Sequence, residues 1–174
     1  ASRHARLRYT IIASNSHIKG GEISNSLIGP FVGLHHQAHI ASLLWPKGAG
    51  SIGAGALISG DAMGRTPNRE ALIGEGITFG QGVTLLFPIN LSQSPWSFVS
   101  AGSVLTSQQL SFPFSLIRNR TPSLEAPQQC EILPGWALAK NTPALARAVH
   151  KFAERDRIRG GDNKPHFLSK ESAE

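Results

Sequence analysis

The sequence predicts an all-β fold, a parallel β-solenoid that is followed by a C-terminal α-helix. The first observation is an aliphatic residue that returns every six positions from Ile28, at Leu34, Ile40, Ile52 and Ile58. The second is that small residues, mostly glycine, fill the positions between, as in "IGAGA", "IGEGI" and "FGQGV". An α-helix needs apolar residues every three or four positions and a single strand needs strict alternation, so neither explains a period of six.

A chain wound into flat, three-sided coils explains this period. Each side takes six residues with one large side chain pointing inward, small residues make the corners, and coils stack by parallel β pairing about 4.8 Å apart. The period continues at Ile73, Phe79, Leu85, Leu91, Phe98, Val104 and Leu110. The sequence therefore predicts about four to five coils from Ile28, and Ile12 and Ile18 predict a partial coil before them.

The chain divides into four predicted parts. They are the solenoid (10–117), an irregular surface segment (118–141), a helix (142–160) and a polar tail (161–174). Thr142 is the predicted N-cap of the helix and Pro143 its first residue, while Gly160 and Gly161 end it. We expect the apolar face of this helix to pack on the solenoid.

Composition narrows the partners and the compartment. The net charge is +6, and groups of basic residues lie near the two ends, but the middle has no basic stripe that contains aromatic residues. This pattern disfavours nucleic acid and suits an anionic small molecule. Cys130 is the single cysteine, which fits a reducing compartment, and no apolar run reaches transmembrane length. With no signal-peptide pattern either, the sequence predicts a cytoplasmic protein that does not bind membranes.

The repeat is irregular in one region, where Pro46 and Gly64 occupy positions at which an aliphatic residue is expected. Counting units puts both residues in the column of Ile28 and makes 64–72 a nine-residue unit. Its extra residues must bulge outward because a packed core has no room for them. The same count places Ile73 in the next column.

This count also predicts a polar cluster along the edge beside the irregular column. The members are His35, His36, Trp45, Lys47, Arg65, Asn68 and Glu70, with Glu75 in the slot of His36 two coils along. Imidazole is a base near neutral pH, lysine and arginine bind phosphate or carboxylate, and an indole ring can stack on a base or sugar. Loops that interrupt a repeat are where repeat proteins usually carry function.

The repeat resembles the hexapeptide-repeat superfamily, whose fold is a left-handed parallel β-helix, over roughly residues 10–117. The strings "GPFVGLHHQAHIASLLWP", "FPFSLI" and "ILPGW" are similar to an uncharacterised family of large bacterial hexapeptide-repeat proteins. That resemblance implies that the chain is one module of a longer protein.

The resemblance to acyltransferases of this superfamily implies a transferase that acts between two subunits of a homotrimer. The donor would be an acyl thioester such as an acyl-CoA, and the acceptor a sugar nucleotide or a similar phosphorylated molecule. His36 or His35 would be the general base, and backbone N–H groups at the corners would hold the oxyanion. Lys47 and Arg65 would bind phosphates, with Asn68 and Trp45 as further substrate contacts.

Two other hypotheses stay open. His35, His36 and His39 suggest a metal site, but neighbouring residues on one rung point in different directions, so we predict no metal. The other hypothesis is a non-catalytic ligand-binding or oligomerisation module of a larger bacterial protein, for example beside a sugar nucleotidyltransferase domain. In that case the polar residues are solvated and Trp45 is a packing anchor.

Overall fold

A computed structural model describes residues 4–61, 70–119, 130–139, 150–151 and 154. Most strands in this part of the chain have two to four residues, as expected when each side of a coil is short. In chain order they are β1 (Ala5–Arg8), β2 (Ile11–Ile12), β3 (His17–Ile18), β4 (Gly21–Ser24), β5 (Leu27–Ile28), β6 (Gly33–Leu34), β7 (His39–Ala41), β8 (Leu43–Trp45), β9 (Ser51–Ile52), β10 (Leu57–Asp61), β11 (Ala71–Ile73), β12 (Thr78–Phe79), β13 (Thr84–Phe87), β14 (Ile89–Leu91), β15 (Phe98–Val99), β16 (Val104–Leu105), β17 (Gln108–Gln109), β18 (Leu116–Asn119) and β19 (Cys130–Leu133). A four-residue helix, α1 (Trp136–Ala139), follows them.

The strands form three sheets, and each coil contributes one strand to each sheet. The first sheet has the order β1-β4-β7-β10-β13-β16, and the second has β2-β5-β8-β11-β14-β17. The third runs β3-β6-β9-β12-β15-β18 and ends with β19. Every pair is parallel except β18–β19, which is antiparallel. The prediction of an all-β parallel solenoid is therefore confirmed.

One inward-facing column from each sheet forms the centre of the core, and other buried residues, among them Leu43, Ala71 and Ile89 of the second sheet, pack beside these columns. The buried residues of these columns are Ile23, Ile40, Ile58, Leu85 and Leu105 in the first sheet, Ile28, Trp45, Ile73 and Leu91 in the second, and Ile18, Leu34, Ile52, Phe79, Val99 and Ile117 in the third. Each fully buried aliphatic side chain contributes about 1.5–3 kcal/mol relative to an exposed one. The period of six thus reflects one large side chain of these columns for each side of a coil.

Left-handed backbone conformations turn the chain at the corners. Between the second and third sheets the described residues with positive φ are Asn15, Phe31, Gly48, Ala49, Gly76, Trp96 and Phe114, and between the third and first sheets they include Gln37, Gly55, Gly82 and Gly102. The second glycine of each quoted motif, at Gly55, Gly76 and Gly82, is one of these corner residues. Glycine adopts this conformation without the steric cost of a Cβ atom, so the glycine-rich corners follow from the sequence.

A pair of corner glycines separates the cost of conformation from the cost of crowding. Gly76 and Gly82 have φ of 69° and 63°, but a Cβ at Gly76 would overlap the Trp96 ring, whereas one at Gly82 would meet open space. We expect Gly82→Ala to lower the free energy of unfolding by about 1–2 kcal/mol through backbone strain. Gly76→Ala should lose about 1–3 kcal/mol more through overpacking, measured by urea unfolding. Equal losses in the two variants would contradict this packing of Trp96.

The interruption between β10 and β11 is larger than the sequence predicts. Ile40 pairs with Ile58, 18 residues later, but Ile58 pairs with Leu85, 27 residues later, so this coil has nine additional residues rather than three. Leu72 pairs with Leu44, and the following residue, Ile73, lies in the second sheet with Trp45 rather than above Ile52. The predicted columns beyond Ile58 are therefore wrong by one unit. The repeat period gives the same pattern for a long loop and for a repeat unit whose core residue is replaced, so counting units treated Gly64 as a core position.

A smaller shift follows β14. Phe98 and Val104 were predicted to point inward, but Val99 and Leu105 fill those core positions, and Val104 is exposed. The sequence predicts successive core residues at Leu91 and Phe98, seven positions apart, whereas the observed ones, Leu91 and Val99, are eight positions apart. Phe98 directly precedes Val99, and Val104 directly precedes Leu105, so both members of each pair are apolar. Hydrophobicity therefore does not decide which member of each pair points into the core.

The last described segments close one end of the third sheet. Strand β19 lies within the stretch predicted to be irregular and pairs with β18, and Arg118 Nε donates to Glu131 Oε2 at 2.8 Å. The predicted helix 142–160 and the tail lie outside the described residues, apart from 150–151 and 154. Within the described residues, no helix is both long enough and apolar enough to cross a bilayer.

Candidate functional site

His35 and His36 lie at the corner where the chain leaves the third sheet, between β6 and β7. Their backbone is part of the coil ladder, since His35 N donates to Ile52 O at 3.0 Å and His36 O accepts from Gly55 N at 3.1 Å. Gln37 makes the left-handed turn with φ of 60°. The His35 residue is half-buried and His36 is exposed, so solvent reaches the imidazole of His36 directly.

His39 points outward from β7 and does not extend this corner into a metal site. Its Nδ1 is 3.9 Å from Glu22 Oε2 on the neighbouring strand β4, and both side chains are about half exposed. An exposed pair of this kind contributes at most about 1 kcal/mol, and only when the imidazole is protonated. Within the described residues no three histidine, cysteine, aspartate or glutamate side chains converge on one point.

Trp45 occupies the core rather than a ligand-binding surface. The residue has 0% exposure, its Nε1 donates to Gly74 O at 2.7 Å, and its ring meets the Phe79 ring edge-on at 6.0 Å. The predicted contact between Trp45 and a substrate is incompatible with this position. Sequence counting made Pro46 the core position, whereas Trp45 pairs with Ile28 and fills it. The alternative prediction of a packing anchor describes the residue correctly.

Lys47 is exposed at a different corner from the histidines, between the second and third sheets. The whole third-sheet side of the coil, at most about 20 Å for six residues, separates it from His36. Gly76 N donates to Gly48 O, so Glu75 lies on the next coil at the corner of Lys47 rather than in the slot of His36. Arg65 and Asn68 lie outside the described residues. The predicted cluster is therefore not brought together, because the histidines and Lys47 lie at different corners and the exposed Glu70 lies at a third, directly before β11.

The outer face of the second sheet has an apolar stripe that was not predicted from the sequence. Register pairs Ile11 with Leu27, Leu27 with Leu44, and Leu44 with Leu72, so these four outward side chains stack on successive coils. We call them the apolar ladder. Ile11 is 69% exposed and Leu44 is 37% exposed, and the other two are partly exposed. The signal was present as a leucine directly beside the core residues in "LI", "LLW" and "ALI", because the core does not use Leu27, Leu44 or Leu72.

The outer faces of the other two sheets are mixed in character. In the first sheet the corresponding outward column is Arg6, Glu22, His39, Leu57, Thr84 and Val104, and in the third it is His17, Gly33, Ser51, Thr78, Phe98 and Leu116. The face of a sheet that points toward solvent normally carries mostly polar residues. Four consecutive aliphatic residues in one outward column therefore distinguish the outer face of the second sheet as a candidate interaction surface.

No protein-family model matches the chain. It is similar to a protein of Treponema pallidum (strain Nichols) that is described as an uncharacterized protein, with 28% identity over 136 residues. The similar region is 78% of this chain and 18% of that relative, so the chain spans less than a fifth of its length. This similarity assigns no chemistry to the histidine corner or to the apolar ladder.

Cys130 on β19 gives a measurable pH dependence. Burial raises the pKa of its thiol above the ordinary range, and its Sγ lies 3.3 Å from Gln108 Oε1. The folded chain therefore favours the protonated thiol, and the stability from this preference is fully present below the ordinary pKa of a thiol and is lost as pH rises through the raised pKa of the folded state. We expect iodoacetamide alkylation to have a higher pH midpoint in the native chain than in urea. Equal midpoints would contradict the burial of this thiol.

Proposed function

We propose that this chain is a non-catalytic assembly module in which the outer face of the second sheet binds further copies of the same chain. The observation that supports the proposal most strongly is the apolar ladder of Ile11, Leu27, Leu44 and Leu72. Removing apolar surface from water contributes about 25 cal/mol for each square ångström. A contact between two such faces gives each aliphatic side chain an apolar neighbour in place of water.

The charge around the ladder favours another copy of the chain as the partner. The described outward residues of this sheet are uncharged, since Asn90 and Gln109 follow the four aliphatic residues in the same column. Two copies can approach without like-charge repulsion across this face. At the adjoining corner Lys47 and Glu75 lie on successive coils and have opposite charges, so one copy offers a partner for each charge of the other.

A homotrimer is the proposed assembly, because a three-sided coil can direct its second sheet toward a common threefold axis. The test is the molar mass of the native chain in solution, measured by light scattering over a wide range of concentrations. The proposal predicts three times the mass of a single chain at high concentration. The mass of a single chain at every soluble concentration would overturn it.

A second candidate function is acyl transfer, and the exposure of the His36 imidazole supports it. The proposed reaction moves an acyl group from an acyl-CoA to a sugar nucleotide or similar acceptor, with Lys47 and Arg65 of a neighbouring copy near the phosphates. Acetyl-CoA consumption with nucleotide-sugar acceptors should then be lost in His36→Ala and retained in His39→Ala. An assembly module predicts no consumption by the native chain, and no increase in its melting temperature with either ligand.

The Treponema pallidum relative is several times longer than this chain, which supports a role as one module within a larger protein. An assembly module in that position brings copies of a longer chain together. We propose that any activity of such a chain resides in other regions, which the solenoid holds in a fixed arrangement.

A further inference from the structure

One corner of the solenoid carries a proline followed directly by an aromatic residue on several coils. This corner lies between the second and third sheets, and the pairs are Pro30 with Phe31, Pro95 with Trp96 and Pro113 with Phe114. In each pair the aromatic residue makes the left-handed turn. Phe114 N donates to Pro95 O at 2.9 Å, so the last two pairs stack directly.

The strings "FPFSLI" and "ILPGW" meet at this corner. Strand β19 runs back along β18, and a Cβ at Gly135 would overlap Phe114 O. Trp136 directly follows Gly135, so it lies beside Phe114 in the next strand layer. Neither string contributes to the apolar ladder or to the histidine corner.

The aromatic side chains at this end of the corner are exposed. Phe112 is 51% exposed, Phe114 is 37% exposed and Trp136 is 72% exposed, whereas Phe31 is buried. We call the three exposed residues the aromatic corner. Single exposed apolar side chains are common, but three aromatic rings in two adjacent strand layers make a patch, and such patches mark binding sites.

The aromatic corner is uncharged and offers hydrogen-bond donors. The described residues 93–96, 111–115 and 134–139 contain no acidic or basic side chain. Gln93 lies beside the corner, because Ser111 Oγ donates to Gln93 Oε1 at 2.8 Å. Within the part of the chain that the structure describes, the amide nitrogen of Gln93 and Nε1 of Trp136 donate to no partner. The corner therefore suits a neutral ligand with apolar surface and hydrogen-bond acceptors.

A proline-rich segment in the polyproline II conformation has this chemistry. Its rings are apolar, its carbonyl groups accept hydrogen bonds, and its prolines have no N–H group that needs a partner. The spacing also matches, since one turn of this helix takes three residues and about 9.3 Å. Trp96, which is partly exposed, and Trp136 belong to layers two strand spacings apart, about 9.6 Å. Prolines three positions apart can therefore contact both layers.

We propose that the aromatic corner binds a proline-rich segment of a partner protein in the polyproline II conformation. Proline rings pack on Phe112, Phe114 and Trp136, and Trp136 Nε1 donates to a carbonyl of the segment. Such a segment is already extended before it binds, so little conformational entropy is lost. A second copy of the chain is a poor occupant, because none of its described prolines has another proline beside it. This inference does not depend on the assembly proposed for the second sheet.

The probe is a fluorescein-labelled synthetic peptide, GPPPPPPPPPG, and the matched peptide of equal length is GSGSGSGSGSG. Fluorescence anisotropy with the native chain should show binding of the proline peptide at least about tenfold tighter than that of the glycine–serine peptide. Trp136→Ala should weaken binding of the proline peptide by about tenfold or more, and Phe112→Ala by about threefold or more. Trp136→Phe retains a ring but loses the donor, so its effect should be intermediate.

Tyr9→Ala is the matched control, because Tyr9 is an exposed aromatic residue at another corner, between β1 and β2. It should keep the binding of the native chain, and melting curves should show that each variant is folded. Equal binding of both peptides, no binding of the proline peptide, or an equal loss in Tyr9→Ala would overturn the proposal. Displacement of the proline peptide by equimolar maltohexaose would overturn it in favour of a neutral carbohydrate. Loss of self-association in Trp136→Ala would overturn it in favour of a contact between copies at this corner.

Discussion

Leu44→Glu should separate the assembled protein into single chains. Leu44 lies in the middle of the apolar ladder, between Leu27 and Leu72, and it is 37% exposed in one copy. In the proposed assembly a carboxylate at this position loses water without gaining a cation, which costs several kcal/mol. Because each 1.4 kcal/mol is a tenfold change, association should weaken by about 100-fold or more. Sedimentation velocity at increasing concentration measures this loss.

Leu57→Glu is the matched control for this substitution. Leu57 has nearly the same exposure, 38%, and also points outward from the middle of a sheet, but it lies in the first sheet between His39 and Thr84. Its replacement should leave the mass of the assembly unchanged. Equal dissociation in both variants would mean that association depends on net charge or on general hydrophobicity. Dissociation in Leu57→Glu alone would assign the interface to the first sheet.

Trp45→Ala should produce the largest loss of stability among single substitutions in the core. The indole fills the inward position of β8, packs on Phe79 and donates to Gly74 O. Its removal leaves a cavity and takes away the hydrogen-bond partner of a backbone carbonyl. We expect the free energy of unfolding to fall by about 3–5 kcal/mol, measured by urea titration with circular dichroism.

Trp136→Ala provides the comparison, because this residue of α1 is 72% exposed. Its replacement should change the free energy of unfolding by no more than about 0.5 kcal/mol. If Trp45→Ala were as mild, the indole would lie on the surface, and the stacking role predicted from the sequence would return. Ligand-dependent protection of Trp45 fluorescence from quenchers would give the same indication.

The sequence determines the fold because the core needs one large side chain at a fixed interval. Ile28, Leu34, Ile40, Ile52 and Ile58 point inward as predicted, and the paired glycines make corners as predicted. The glycine at the second corner position accepts a left-handed backbone, and the first allows close approach of the next coil, since a Cβ at Gly53 would crowd the backbone of Gly80. Repetition of these local requirements over several coils leaves little freedom in the architecture.

The candidate site was less predictable, because its assembly depends on register across an interruption. The coil has nine additional residues instead of the predicted three, and this difference of six residues, one repeat unit, moves Glu75 from the histidine corner to the corner of Lys47. A one-residue difference moves Trp45 into the core and Pro46 out of it. The apolar ladder was readable in principle, since "LLW" and "ALI" contain more apolar residues than one core position uses. That these residues form one continuous column became clear only from the register of the strands, which places them on successive coils.

The most direct measurement of the central claim is the distance between copies on each outer face. Spin labels at Asn90→Cys and, separately, at Thr84→Cys in a Cys130→Ser background mark partly exposed positions on neighbouring strands of one coil. Asn90 lies in the second sheet directly beyond the apolar ladder, and Thr84 lies in the first sheet. Pulsed electron resonance should give a shorter distance between copies for labels at position 90 than at position 84. A shorter distance at position 84, or no distance between copies at either position, would contradict assembly through the second sheet.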